Sequence, residues 1–233
     1  MKPVAIFRHN SGEGPGYFAT FLEAHSIPWT LFAIDAGVPP PPTVDGFSGL
    51  CFMGGPMSVN DDLPWLPPTF ALIRAAVAAD VPVIGHCLGG QLMSKALGGT
   101  VTRNPVKELG WGEVEATGTA ATAWLGDITR FEAFHWHGET FAIPPGATRI
   151  LQSRWCDNQA FALGLHLGMQ CHVEMTEAMI RLWCRAWDEE KAAPGPSVQT
   201  PAQMNEGMDQ RIAAMRAAAD RLYTKWIAGL NRD

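Results

Sequence analysis

Val81-Pro-Val-Ile-Gly-His-Cys-Leu-Gly-Gly-Gln91 is the stretch on which the fold turns. Val81 to Ile84 is a short apolar, β-branched run of the kind that forms a buried strand. It leads directly into Gly85, which allows a tight turn, and then sets one nucleophilic side chain, Cys87, at the bend. Small residues follow as a helix begins, Leu88 to Leu97, stopped by Gly98-Gly99. A strand, Gly-x-Cys-x-Gly and a helix in this order form a nucleophile elbow, better known with serine. Gly85 and Gly89 are expected where neighbouring segments pass too close for a Cβ. The helix starting at Leu88 aims its first N–H groups at the sulfur, which favours thiolate over thiol. The Leu88 N–H can also face a developing oxyanion. A free cysteine is usually just a small buried hydrophobe, and Cys51, Cys156, Cys171 and Cys184 read that way because they lack this context.

On the N-terminal side, strands are expected at Val4 to Phe7, Trp29 to Ile34 and Gly49 to Met53. Helices are expected at Tyr17 to His25 and Pro67 to Ala79, the second with proline near its start, where the missing N–H does no harm. Alternation of this kind predicts a parallel sheet with helices on both faces. From Thr100 to Val173 the pattern changes to short strand-like pieces: Thr100–Arg103, Gly112–Ala116, Phe131–His135, Thr148–Ser153, Ala160–Leu163 and Leu165–Cys171. Meanders like this extend a parallel sheet at one edge. A helix over Met175 to Lys191, a proline-rich breaker from Ala193 to Pro201 and one long helix over Pro201 to Leu230 close the chain. The expected architecture is α/β, a flavodoxin-like three-layer sandwich whose mainly parallel central sheet carries an antiparallel extension. Residues 1–192 would form the catalytic domain and 193–233 a helical extension packed on it.

A cysteine hydrolase needs a histidine to move protons and a third group to orient it. Of seven histidines, His172 stands out in Leu165-His-Leu-Gly-Met-Gln-Cys-His-Val-Glu174, just past an apolar strand, where α/β folds place their active groups. If the chain is extended there, His172 and Glu174 project to the same side, so the carboxylate can hold one ring nitrogen while the other faces Cys87. His-x-Glu by itself is a weak motif; following the elbow, in the order Cys, His, Glu, it gains weight.

The chain as a whole excludes several classes. It has 17 basic and 23 acidic residues, a net charge of -6 and no basic run, which argues against nucleic acid as a partner. Five irregularly spaced cysteines without a CxxC pair suggest neither a zinc site nor a disulfide framework, and they fit a reduced, cytoplasmic setting. No apolar run is long enough for a bilayer, and MKPVAIFRHN reads as a strand rather than a signal peptide. Gly12-Glu-Gly-Pro-Gly16 lacks the Lys-Ser/Thr of a phosphate loop. His135 and His137 flank Trp136 without further evident ligands, so no metal is expected.

Gly85-His-Cys-Leu-Gly-Gly-Gln91 and Gln170-Cys-His-Val-Glu174 together resemble the class I glutamine amidotransferases. The resemblance covers roughly residues 1–187. It implies a Cys87–His172–Glu174 triad, with no cofactor. Phe52-Met-Gly-Gly-Pro-Met-Ser58 is similar to that family's oxyanion loop, which implies a hole formed by the N–H groups of Gly55 and Leu88. Phe134-His-Trp-His-Gly-Glu139 resembles the loop whose backbone holds the amino-acid end of glutamine, assigning Trp136, His137 and Gly138 to substrate binding. Gln91 matches a substrate-contacting glutamine, and Lys107-Glu-Leu-Gly-Trp111 resembles a segment of free-standing members related to the amidotransferase half of GMP synthetase. Val173 departs from the proline many relatives carry there, but no chemical group is lost. The implied substrate is glutamine or a γ-glutamyl amide or peptide. About sixty residues follow the triad, so an ammonia acceptor would require a separate synthase subunit. A non-enzymatic cysteine redox sensor would need neither the oxyanion loop nor Glu174.

Overall fold

The computed structural model describes residues 1–187 and 193–230. In chain order, β1 (Val4–Arg8), α1 (Gly16–Ala24), β2 (Trp29–Ala33), β3 (Gly49–Phe52), α2 (Leu66–Ala78), β4 (Val83–His86) and α3 (Leu88–Ala96) form the alternating half. There follow β5 (Val101–Ala116), α4 (Gly118–Leu125), β6 (Arg130–Phe141), β7 (Thr148–Ser153), β8 (Ala160–Leu163) and β9 (His166–Met169). The chain then continues into α5 (Glu177–Arg185), α6 (Pro201–Asn205) and α7 (Met208–Ile227).

All the strands join one nine-stranded sheet in the order β2-β1-β3-β4-β9-β8-β7-β5-β6. Pairing is parallel from β2 through β9 and antiparallel from β9 to β6. Successive side chains on a strand point to opposite faces, and β1 shows the result. Val4 and Ile6 enter one core with Phe18, Phe21 and Tyr223, whereas Ala5 and Phe7 enter the other with Leu72, Ile73 and Leu92. Helices α1 and α7 cover the first face and α2 and α3 the second, which gives the expected three layers.

The elbow depends on glycine at three points. A Cβ on Gly85 would strike the backbone of Gly89, one on Gly89 the carbonyl of Phe52 on β3, and one on Gly90 the carbonyl of Met169 on β9. In each case the obstacle is backbone in the middle of the sheet, which cannot swing aside. Gly89→Ala is therefore expected to destabilise the protein by about 3 kcal/mol or more. A urea midpoint unchanged from wild type would refute this.

The structure corrects several expectations. The pieces Thr100–Arg103 and Gly112–Ala116 belong to the single strand β5; a shift in its pairing with β6 between Arg103 and Glu108 absorbs the Asn104-Pro105 step that reads as a break. The segment Phe134 to Glu139 is not a loop but the body of β6, where Leu109 pairs with Trp136 and Glu108 with His137. Helix α4 was not anticipated, although Ala121, Trp124 and Leu125 carry a helical spacing of buried residues. The helix expected over Met175 to Lys191 starts only after Thr176, whose side chain caps it by accepting from the Met179 N–H, and ends at Arg185; positions 188–191 lie outside the described residues. The expected Pro201–Leu230 helix is two. A Thr200/Gln203 capping box opens α6, and Gly207, left-handed at φ 61, separates it from α7. Among the described residues, no helix is long and apolar enough to cross a membrane.

Candidate active site

Cys87 occupies the turn between β4 and α3 at φ 51 and ψ -107, a backbone conformation that non-glycine residues rarely adopt. Parallel pairing sets β3, β4 and β9 side by side, so the segments leaving their carboxyl ends meet around the sulfur. From β9 come Gln170, His172 and Glu174. Gln170 Nε2 lies 3.5 Å from Cys87 Sγ, and its Oε1 accepts from Gln91 Nε2 at 3.1 Å. A bridge between Phe134 and His172 keeps the backbone extended beyond β9, which is the condition for His172 and Glu174 to face the same way.

His172 Nδ1 stands 2.6 Å from Glu174 Oε1, and both residues are almost fully buried. Burial alone would lower the imidazole's pKa. The negative charges of Glu174 and Cys87 outweigh it and hold the ring well above the usual histidine range. Glu174 is affected in the opposite sense. Burial would raise it, but His172 and then His86 pull the carboxyl down to about 2. Nε2 of His172, the nitrogen not engaged by Glu174, makes no hydrogen bond of good geometry at rest, although Cys87 is close enough to raise the ring's pKa. Contacts of this kind commonly tighten only when substrate binds.

The remaining expected residues gather here too. Gly55, Cys87, Gln91, Trp136, His137 and Gly138 all line one cavity of about 660 Å³. Leu88 borders Gly55 closely, since a Cβ on Gly55 would come within 2.8 Å of the Leu88 side chain. The two residues expected to supply the oxyanion donors are thus in contact through the Leu88 side chain.

Three sets of residues were not singled out from sequence. His86, fully buried, lies 3.9 Å from Glu174 Oε2 and 3.0 Å from the Tyr223 hydroxyl on α7, so a group from the far end of the chain packs beside the carboxylate without hydrogen-bonding it. Glu108 lies 3.0 Å from His137 Nε2 and accepts from Ser153 Oγ at 2.8 Å and Gln159 Nε2 at 2.7 Å. Glu108, His135 and His137 bring one ligand atom each within 4.8 Å of one another, as a metal site would. Protein donors already crowd the Glu108 carboxylate, however, and the network serves to fix the strand that carries Trp136 and Gly138.

The third is Glu13, in the loop before α1. It lines the cavity, and a Cβ on Gly54 would collide with its carboxyl while coming 3.3 Å from His172 Cε1. Among the described residues its carboxyl has no hydrogen-bond partner. Burial pushes its pKa up to about 7, with His172 opposing and Glu174 adding to the shift. A carboxyl whose folded pKa is raised contributes stability that is complete below its ordinary value of 4.5 and lost as pH rises through 7. Glu13→Gln should therefore gain stability over wild type as pH rises, by about 1–3 kcal/mol at pH 8. Urea denaturation at pH 5 and pH 8 checks this, and a difference that does not grow with pH would count against it.

Comparison with known proteins bears on this geometry. The family described as glutamine amidotransferase class-I matches residues 32–181. The glutamine amidotransferase-like protein YfeJ of Salmonella typhimurium is 33% identical over 180 residues, covering 72% of this chain and 74% of that protein. A crystal structure of a glutamine amidotransferase from Methylobacillus flagellatus superposes with a TM-score of 0.96 at 46% identity, covering 100% of this chain and 97% of that one. The glutamine-hydrolysing GMP synthase of Herminiimonas arsenicoxydans is 40% identical over 95 residues, which is 40% of this chain but only 16% of that larger protein.

Proposed function

The chain belongs to the class I glutamine amidotransferase family, and from that membership we propose that it hydrolyses the side-chain amide of glutamine through a Cys87–His172–Glu174 triad. The observation that carries the reading is the buried 2.6 Å contact between His172 and Glu174 on the segment beside the elbow cysteine. The Cys87 sulfur attacks the γ-carbonyl carbon, and the charge that develops on oxygen is met by the N–H groups of Gly55 and Leu88. His172 delivers its proton to the leaving nitrogen as the C–N bond breaks, which leaves a γ-glutamyl thioester and ammonia. Water, deprotonated by His172, attacks the thioester; the C–S bond breaks and glutamate departs. Glu174 keeps the ring oriented and compensates its charge throughout. Gln91 and the β6 segment from Trp136 to Gly138 hold the amino-acid end. Ammonia released in this way would serve an acceptor on a separate synthase subunit.

A γ-glutamyl peptide or amide is the second reading, favoured by a cavity of about 660 Å³, far roomier than glutamine requires. Incubation with an electrophilic glutamine analogue should add its mass to Cys87 alone. Release of ammonia from glutamine then supports the first reading, whereas turnover of γ-glutamyl dipeptides with no activity on glutamine would overturn it. Absence of any Cys87 adduct would overturn both.

A further inference from the structure

The cavity has two chemically different ends. One lies under β6, where Glu139 accepts from Ser58 Oγ at 3.1 Å and a Cβ on Gly138 would come 3.3 Å from the Lys107 side chain. This part of the wall is formed by the β6 residues proposed above to hold the amino-acid portion of the substrate. The other end lies beside His172, the group that hands a proton to whatever leaves. Its walls are Glu13 and Trp183. The Trp183 ring stands edge-on to the His172 ring at 5.0 Å between centroids, and its Nε1 donates to the Gly12 carbonyl at 3.0 Å. That bond ties α5 to the loop that carries Glu13. Trp187, one turn further on, lines the same cavity.

Ammonia alone gives no reason for such a wall. An aromatic surface beside a carboxylate that lacks a hydrogen-bond partner is how proteins recognise organic cations. Leaving Glu13 unpartnered opposes folding above neutral pH, a cost a protein tolerates where function uses the group. An anionic leaving group would be repelled, and a neutral one would leave the carboxyl unmatched.

Resting on the amidase reading above, we propose that Glu13 is a specificity-determining residue and that the site takes γ-glutamyl amides whose leaving amine carries a second positive charge, such as a diamine or polyamine. The chemistry is unchanged and balances. Cys87 sulfur bonds to the γ-carbonyl carbon, the C–N bond breaks, and the amine leaves with the proton from His172. Water then cleaves the thioester to glutamate and restores that proton. The distal ammonium of the leaving amine rests between the Glu13 carboxylate and the Trp183 ring throughout acylation.

The test compares four substrates at pH 8 with purified protein: glutamine and the γ-glutamyl amides of 1,4-diaminobutane, n-butylamine and 4-aminobutanoate. The three amides share a four-carbon chain and differ in the charge at its end. The wild type should favour the diamine amide over the butyl amide by on the order of tenfold in kcat/KM, with the carboxylate-bearing amide poorest. In Glu13→Gln the diamine-to-butyl ratio should fall to about one, through KM rather than kcat. Equal use of the diamine and butyl amides by the wild type, or a ratio that survives the substitution, overturns the inference and leaves the amidase reading standing. The wild-type ratio alone decides if the variant fails to fold. Failure of all four substrates to acylate Cys87 would instead overturn the amidase reading, and this inference with it.

Discussion

Cys87→Ala is expected to lower kcat for amide hydrolysis by about 10⁴-fold or more, because no other group can make the acyl bond. Cys51 and Cys171 are fully buried, and burial pushes both thiols up, Cys51 with a smaller push from Glu174 and Cys171 to beyond any useful range. Neither can substitute as a thiolate. The variant should fold, since alanine retains the Cβ and removes only the sulfur. It should not, however, be the most stable replacement. At φ 51 and ψ -107 any Cβ is strained, so Cys87→Gly is expected to exceed Cys87→Ala in stability by about 1 kcal/mol, the reverse of the usual order at a helix start. Ammonia release and urea denaturation of the two variants check both statements. Retention of full amidase activity in Cys87→Ala would refute the proposed chemistry.

Glu174→Gln is expected to reduce kcat by about 10²–10⁴-fold with little change in KM. The amide can still meet His172 Nδ1, so the ring's position survives, but the negative charge that keeps the imidazole protonated is gone. The carboxylate meets the ring at Nδ1 and does not line the cavity, which is why the loss should appear in kcat. Glu174→Ala differs in kind. It leaves the buried Nδ1 of His172 without its partner, so a stability loss of about 1–3 kcal/mol should accompany the loss of rate. A Glu174→Gln enzyme with an unchanged kcat would remove Glu174 from the mechanism.

How much of this could be read in advance depended on the range of the forces involved. The elbow was legible because its causes are local. A buried strand, a glycine on each side of Cys87 and a helix start are all contained in eleven successive residues, and the parallel half of the sheet follows from the same alternation repeated. The β5–β6 ribbon was harder to read. Asn104-Pro105 looks like a stop, and only pairing with β6, through Arg103 with Glu139 and Glu108 with His137, lets β5 continue through it. Phe134 to Glu139 reads as a loop for the same reason, because its partner strand lies elsewhere in the sequence. Pro201 to Leu230 reads as one helix because a lone Gly207 does not announce that the backbone will turn left-handed there.

The site divides along the same line. Cys87, His172 and Glu174, the proposed triad, stand out in the sequence because each carries its signature within a few residues. Glu13, the His86–Tyr223 pair, and the Glu108, Ser153 and Gln159 network carry no such mark, being ordinary residues until folding joins distant segments. Short-range backbone geometry thus pointed to the Cys87 sulfur as the proposed nucleophile. Only the packed core settled the charge and shape of what surrounds it, because burial and distant carboxylates set those properties, and neither exists in the unfolded chain.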